Sequence, residues 1–394
     1  MKKRISIAQL LLVIWMVVMV LAVVSNVRFA KTAEHPYHEK MLEASSLTKK
    51  AFDTIKQYKL DNGMPIVSED KLKTGLIGEE ATAIFTTPGN LHAKRTTCNP
   101  NWAAVIIDYF YKANLKSGDQ VVFVFSGSFP GLNIAALAAA EVFGLNTAVM
   151  ASIGASSYGA TDPDFTFFDM MCLLNGKNVL KDRLDYVSFG GGSDTGNNFH
   201  DEEEIFWNED LENLRTIEEI KSSIKARIDK EGVNFIYEPD FSTNIDKRIE
   251  YLRQLVPDAK FLLNVGGSSV GIGVDAETYI DSGFQDPTTK MTSKLSSFDV
   301  NKDNWGLIQY FLTKEIPVAS MLNIRGLASD YGLAYDPDVM PAVGDGEIYL
   351  IKTGNLTITV IAIVVSVAVA VFYSIYKRKL NAEEGQNERN YILC

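Results

Sequence analysis

Hydrophobic positions along the chain fall into three patterns. At the two ends lie long apolar runs: Leu10 to Val24 is unbroken, and Leu356 to Tyr376 is interrupted by little more than Thr and Ser. With its flanking residues each reaches the ~20 residues that a bilayer-crossing helix needs. Between them, short runs rich in β-branched and aromatic residues read as buried strands: Val121 to Phe125, Thr147 to Ala151, Leu184 to Phe189, Val233 to Tyr237, Phe261 to Val265 and Val318 to Leu322. Amphipathic stretches form the third pattern. Apolar residues recur helically from Met41 to Tyr58 and stop at Asn62-Gly63; Ile217, Ile220, Ile224 and Ile228 make a stripe ended by Gly232; Ile245, Ile249, Leu252 and Val256 make another; Asp303 to Glu315, closed by Pro317, makes one more. Asn99 and Pro100 are placed to cap and open a helix over the apolar segment that follows.

Strands separated by crossover helices predict an α/β fold, a largely parallel sheet with helices on both faces, flanked by one N-terminal and one C-terminal transmembrane helix. No fixed-period repeat and no low-complexity linker divides the middle of the chain, so a single α/β body is expected there.

The ends decide the topology. Lys2, Lys3 and Arg4 precede the first run, and Lys377, Arg378 and Lys379 follow the second. Positive flanks face the cytoplasm, so both termini are expected inside and the main body outside. A basic start followed by an apolar run also suits a cleaved signal peptide, but Val23-Val24-Ser25 is a poor cleavage site and a retained anchor is preferred. The expected divisions are an anchor over 1–27, an extracytoplasmic domain over 28–354, a second span over 355–376 and a cytoplasmic tail over 377–394.

Charge narrows the partners. The chain carries −11 overall; the two terminal basic clusters hold +3 each and the last fifteen residues −2, which leaves −15 on the intervening region. Such a surface excludes nucleic acid as a partner. Cys98 and Cys172 allow at most one disulfide in the outer region, and Cys394 ends the chain.

Candidate chemistry collects where strands end. In open α/β sheets, ligands bind beyond the carboxyl ends of the strands, where loops meet helix N-termini. Three strand ends here are rich in glycine and serine: Ser126-Gly127-Ser128, Gly190-Gly191-Gly192-Ser193, and Gly266-Gly267-Ser268-Ser269. Each can be read as a tight turn that needs glycine. Together they also fit one site in which backbone N–H groups and hydroxyls hold a carboxylate or phosphate. Lys94 and Arg95, just ahead of a helix, and Arg325 are candidate cations for it, with surface ion pairing as the plainer role.

A second reading uses Ser126 or Ser128 as a nucleophile. The surroundings lack the Gly-x-Ser-x-Gly elbow, and a base is hard to find among His35, His38, His92 and His200, although Lys94 could serve in a Ser-Lys pair. Asp162, Asp164 and Asp169 suit a turn and a helix cap better than a cation site. No zinc-ligand spacing, Walker loop or Gly-x-Gly-x-x-Gly after a strand is present, which disfavours nucleotide hydrolysis and NAD chemistry; no cofactor is indicated.

The segment LHAKRTTCNPNWAAVIIDYF and the longer SGDQVVFVFSGSFPGLNIAALAAAEVFGLNTAVMASIGASSYGATDPDFTFFDM resemble the poly-γ-glutamate system protein family. The likeness is concentrated in residues 86 to 170, and the terminal anchors and later glycine-rich strand ends agree in layout. It implies a membrane component of bacterial poly-γ-glutamate synthesis and export, with the polymer or its synthesis and export proteins as partners. It supplies no catalytic residues. Two function classes therefore stand: a non-enzymatic component assisting synthesis, transport or retention of the polymer, and a hydrolase or transferase acting on γ-glutamyl chains through a loop serine.

Overall fold

The computed structural model describes residues 7–28, 30–206, 214–274, 281–287 and 302–392; the basic cluster at Lys2 to Arg4 and Cys394 lie outside them. The chain forms two compact units, Met1–His35 with Leu350–Cys394, and Pro36–Tyr349.

The larger unit is built on a seven-stranded sheet. Its strands are β2 (Gln120–Ser126), β3 (Asn146–Ser152), β4 (Tyr186–Ser188), β5 (Asn234–Phe235), β6 (Ala259–Val265), β7 (Gly283–Gln285) and β8 (Val318–Met321), the label β1 being kept for a strand of the other unit. Their spatial order is β5-β4-β3-β2-β6-β8-β7. All neighbours are parallel except β7, which pairs antiparallel with β8 at the edge. All six strands read from the apolar runs are present.

Because successive strand residues face opposite ways, the central strands feed two cores. Val121, Phe123 and Phe125 of β2, with Phe261, Leu263 and Val265 of β6, pack into one core with Phe52, Trp102, Leu137 and Ile224. Val122 and Val124, with Ala148, Met150 and Leu262, pack into the other with Ile249, Leu252, Leu307 and Phe311. Helices therefore cover both faces, as a parallel sheet requires.

The helical stripes behave as their periodicity dictates. His38–Asp61 buries Met41, Ala44, Ser45, Thr48, Phe52 and Ile55 along one side, and Ile217–Lys230 buries Ile220, Ile224 and Ile228. Thr216 caps the latter: its hydroxyl accepts from the Glu219 N–H at 3.3 Å while the Glu219 carboxylate accepts from the Thr216 N–H at 2.7 Å. Thr216→Ala removes half of this reciprocal cap and is expected to cost about 1 kcal/mol, measurable as a lower urea midpoint with an unchanged slope.

Two helix starts differ from expectation. The helix expected to open at Pro100 begins at Trp102 with Asn101 as its N-terminal neighbour. Asn99 instead accepts from the Asn101 N–H at 3.0 Å, and the first bonds run from Trp102 to Asn99 and from Ala103 to Pro100. These i to i−3 bonds tighten the entry into a turn before the helix proper. The stripe expected over Asp303 to Glu315 is broken into a 3-10 turn, Lys302–Asn304, and a helix, Leu307–Thr313. Between them a Cβ on Gly306 would lie 2.5 Å from the Gly271 carbonyl oxygen, so the chain here passes backbone against backbone.

In the smaller unit β1 (Lys31–Glu34) pairs antiparallel with β9 (Leu350–Thr353). The first helix, Ile7–Arg28, and the last, Leu356–Ile392, make contact, with the Trp15 indole N–H donating to Ser366 Oγ at 3.0 Å. Among the described residues one stretch, Thr357–Arg378, is long and apolar enough to cross a membrane; the apolar stretch Leu12–Ser25 is shorter. Val360, Ile361, Ile363 and Val364 stand exposed, uncovered by protein. The last helix continues to Ile392, through residues whose polarity suggests a tail.

Candidate functional site

The strand order locates the site. From β2 the chain moves outward through β3, β4 and β5, then crosses back to lay β6 on the other side of β2. Loops leaving β2 and β6 consequently diverge, and the crevice at their carboxyl ends is where sheets of this kind take ligands. A pocket of about 600 Å³ lies there. Ser126, Ser128 and Phe129 line it from the loop after β2, Gly191, Gly192 and Ser193 from the loop after β4, and Gly267, Ser268 and Ser269 from the loop after β6. All three glycine-bearing strand ends thus meet in one cavity.

Close packing of backbone shapes this rim. A Cβ on Gly127 would fall 2.3 Å from the Ile153 carbonyl oxygen, so only glycine lets the β2 and β3 loops approach this closely. Gly266 adopts φ +90° and its missing side chain leaves room for Ser126 Oγ. Neither glycine lines the cavity itself; both set the loops that do. The 14-residue helix Pro130–Phe143 starts directly after Phe129, which as N-cap makes no side-chain hydrogen bond to it. Its positive end is therefore left at the cavity rim.

Lys94 gives the pocket its charge. The residue is 2% exposed, yet it lines the cavity and is the single ionisable side chain among the described residues that do. Its ammonium donates to the Ser128 carbonyl oxygen, meets Ser156 Oγ at 2.7 Å, and lies 4.0 Å from the centre of the Phe129 ring. Burial pushes its pKa down from 10.5 to about 7. Among the described residues no acid is close enough to oppose this, so near neutral pH the pocket holds Lys94 in both protonation states.

Arg95 departs from the arrangement expected of it. Adjacent helical residues point about 100° apart, and on the helix Leu91–Thr96 the turn that sends Lys94 inward sends Arg95 away. The Arg95 guanidinium donates to the Glu69 carbonyl oxygen at 2.6 Å and lies 3.8 Å from Asp336, outside the pocket lining. His92 pairs with the same Asp336 at 2.5 Å, and Arg325 lies over the Tyr335 ring. His38 faces the Tyr349 carbonyl and His200 faces Glu204. None of the four histidines lines the cavity.

The aspartates singled out from the sequence have local partners. Asp162 accepts from the Asp164 N–H at 2.9 Å, Asp164 pairs with Arg215, and Asp169 accepts from Thr166 and pairs with Arg227. Cys98 and Cys172 are both free thiols.

Sequence reasoning missed two parts of the wall. Ser152 ends β3 and Gly154 and Ser156 follow it, and Thr86 to Asn90 run beside them. The first has the same serine and glycine chemistry as the other strand ends and could have been found with them. The second is brought in by a single parallel bridge, Phe85 to Ala155, which leaves no mark on the local sequence. Behind the β4 loop, Asp194 and Arg248 form a buried ion pair at 2.5 Å, each side chain 2% exposed.

No family model matches the chain, and no curated protein and no solved structure matches it.

Proposed function

We propose that the chain is a membrane-anchored component of a bacterial poly-γ-glutamate synthesis and export system, whose α/β unit holds carboxylates of the polymer at the carboxyl edge of its sheet. The observation that carries this is Lys94, a buried lysine and the only ionisable side chain among the described residues lining a cavity otherwise made of hydroxyls, two carboxamides (Asn90 and Asn198), glycines and apolar groups. A cavity with a cation, hydroxyl donors, a helix N-terminus and no carboxylate in its described wall selects an anion. The polymer enters through the resemblance of residues 86 to 170, and it presents one carboxylate per residue. In this reading both apolar end segments are retained spans, both termini are cytoplasmic and residues 28–354 are outside. The −15 of that region repels a polyanion at long range, so recognition is confined to the cavity.

Purified full-length chain in detergent should bind defined γ-glutamate oligomers in a calorimetric titration, more weakly as salt rises. Lys94→Met should lower the affinity at least tenfold, since a buried charged hydrogen bond is worth about 1.5–3 kcal/mol. Arg95→Ala, whose guanidinium points elsewhere, should bind nearly as the parent does. Oligomer binding that Lys94→Met leaves untouched in a folded variant would remove the basis for this function.

A further inference from the structure

We infer that Ser156 and Lys94 form a nucleophile and base pair, Lys94 acting in its neutral form, and that the cavity performs acyl transfer on an amide. The choice of a γ-linked glutamyl amide as that substrate rests on the function proposed above; the pair itself does not.

Geometry selects Ser156 over the serines that the sequence suggests. Lys94 Nζ lies 2.7 Å from Ser156 Oγ, whereas at Ser128 it meets the carbonyl oxygen and not the hydroxyl. Ser128 Oγ is occupied in another way, accepting from the Ser156 N–H at 3.0 Å, which fixes the backbone of the nucleophile. Ser126 Oγ lies against Gly266 and accepts from the Ser128 N–H at 3.4 Å. Exposure agrees: Ser126 and Ser128 are buried, while Ser156 is partly exposed and lines the cavity. A nucleophile must be within hydrogen-bond reach of its base and open to substrate. Of the three, Ser156 meets both conditions.

Burial supplies the rest. A lysine serves as base only in its neutral form, and desolvation brings Lys94 to about 7, where half of it is neutral. As an ammonium Lys94 donates to both the Ser128 carbonyl and Ser156 Oγ; once neutral, the amine keeps the bond to the carbonyl and turns its lone pair to the Ser156 hydroxyl. The other titratable groups among the described residues near it are otherwise engaged or stay neutral. His92 and Arg95 on its own helix are engaged by Asp336 and the Glu69 carbonyl, and the Cys98 thiol, which donates to the Lys94 carbonyl at 3.6 Å, is pushed up to about 12.

The step balances without a further reactant other than water. Ser156 Oγ bonds to the amide carbonyl carbon as its proton passes to Lys94. The intermediate collapses, the C–N bond breaks, and Lys94 returns the proton to the leaving amine. Water then attacks the Ser156 ester, giving one proton to Lys94, which restores it to Oγ as the ester C–O bond breaks. The sum is amide plus water to carboxylic acid plus amine; an incoming amine in place of water gives transfer. The helix Pro130–Phe143, which starts directly after the cavity-lining Phe129, would favour the developing oxyanion with its positive end.

The test uses the full-length chain in detergent with a fluorophosphonate, which reacts preferentially with an activated serine hydroxyl. One adduct per chain, mapped to Ser156 by mass spectrometry, is expected, with a labelling rate that rises with pH through about 7. Ser156→Ala should take no label. Lys94→Arg, which stays charged, should slow labelling by about 100-fold or more, and Lys94→Met serves in its place if the arginine variant does not melt cooperatively. A folded parent chain that takes no label, a label on Ser126 or Ser128, or labelling indifferent to both Lys94 variants overturns the pair. γ-Glutamyl p-nitroanilide and γ-glutamate oligomers are the second arm. Parent chain that binds oligomers but takes no fluorophosphonate refutes the pair and leaves the binding function standing. Label at Ser156 without binding or cleavage of either probe supports the pair and overturns the γ-glutamyl assignment.

Discussion

Arg248→Met is expected to destabilise the α/β unit by about 3–5 kcal/mol, the usual cost of removing one partner from a buried ion pair. Arg248 and Asp194 are each 2% exposed at the side chain and meet at 2.5 Å. The guanidinium also donates to Asn244 Oδ1 at 2.8 Å, and Asp194 accepts from Ser188 Oγ at 2.7 Å and from Asn244 Nδ2 at 3.3 Å. Methionine matches the length of the arginine stem but leaves a carboxylate with only neutral donors in a buried site. The loss should therefore come from the orphaned charge more than from lost packing. Asp194→Asn added to Arg248→Met removes that charge while keeping an acceptor for Ser188, and should recover part of the stability. Urea unfolding of the three variants against the parent chain measures both effects. Recovery absent from the double variant would assign the cost to packing instead.

This ion pair also holds the pocket. Asp194 has φ +61° and Ser193 φ +52°, conformations that side chains other than glycine seldom adopt. They persist because the carboxylate is tied to β4, through Ser188, and to the helix Phe241–Leu255, through Asn244 and Arg248. Gly191, Gly192 and Ser193 line the cavity from the same turn. Loss of Arg248 should accordingly weaken ligand binding even under conditions where the chain remains folded.

How far the fold is legible in the sequence depends on the range of the force involved. The strand β2 and the stripe on Ile217–Lys230 are written locally, in runs and periods of apolar residues, and both are where the pattern puts them. The cap at Thr216 is local too. Asn99 resembles a cap in sequence but makes a turn, because Asn101 is taken by distant groups: its amide donates to the Ala342 carbonyl at 2.8 Å and its oxygen accepts from Tyr349 OH at 2.6 Å. The site divides in the same way. Glycines and serines at strand ends are visible in the sequence, and a doubly wound sheet brings them together. The contrast between Lys94 and Arg95 needs the helix phase relative to the sheet, and the Asp194 to Arg248 pairing spans 54 residues with no local signal.

Lys94 makes stability and ligand affinity depend on pH with opposite signs. Its pKa is about 7 in the folded chain against 10.5 for an exposed lysine. Between those values the unfolded chain keeps a proton that the folded chain has released. Stability rises with pH wherever the unfolded state binds more protons, so this residue adds stability as pH climbs from about 7 toward 10.5, by at most about 1.4 kcal/mol per unit. Anion affinity runs the other way. A bound carboxylate favours the protonated amine, so binding is strongest below about 7 and weakens above it, by about tenfold per pH unit once proton uptake accompanies binding. Thermal melts and titrations of the parent chain from pH 6 to 9 should show rising stability and falling affinity, after correction with Lys94→Met for all other groups. In that variant both slopes attributable to position 94 disappear together. The opposition has one physical cause: the cavity pays for a desolvated amine that a carboxylate alone can repay, so the empty pocket gains when the proton leaves and the filled pocket loses. Parallel slopes, or a Lys94→Met profile that matches the parent, would place the titrating group elsewhere.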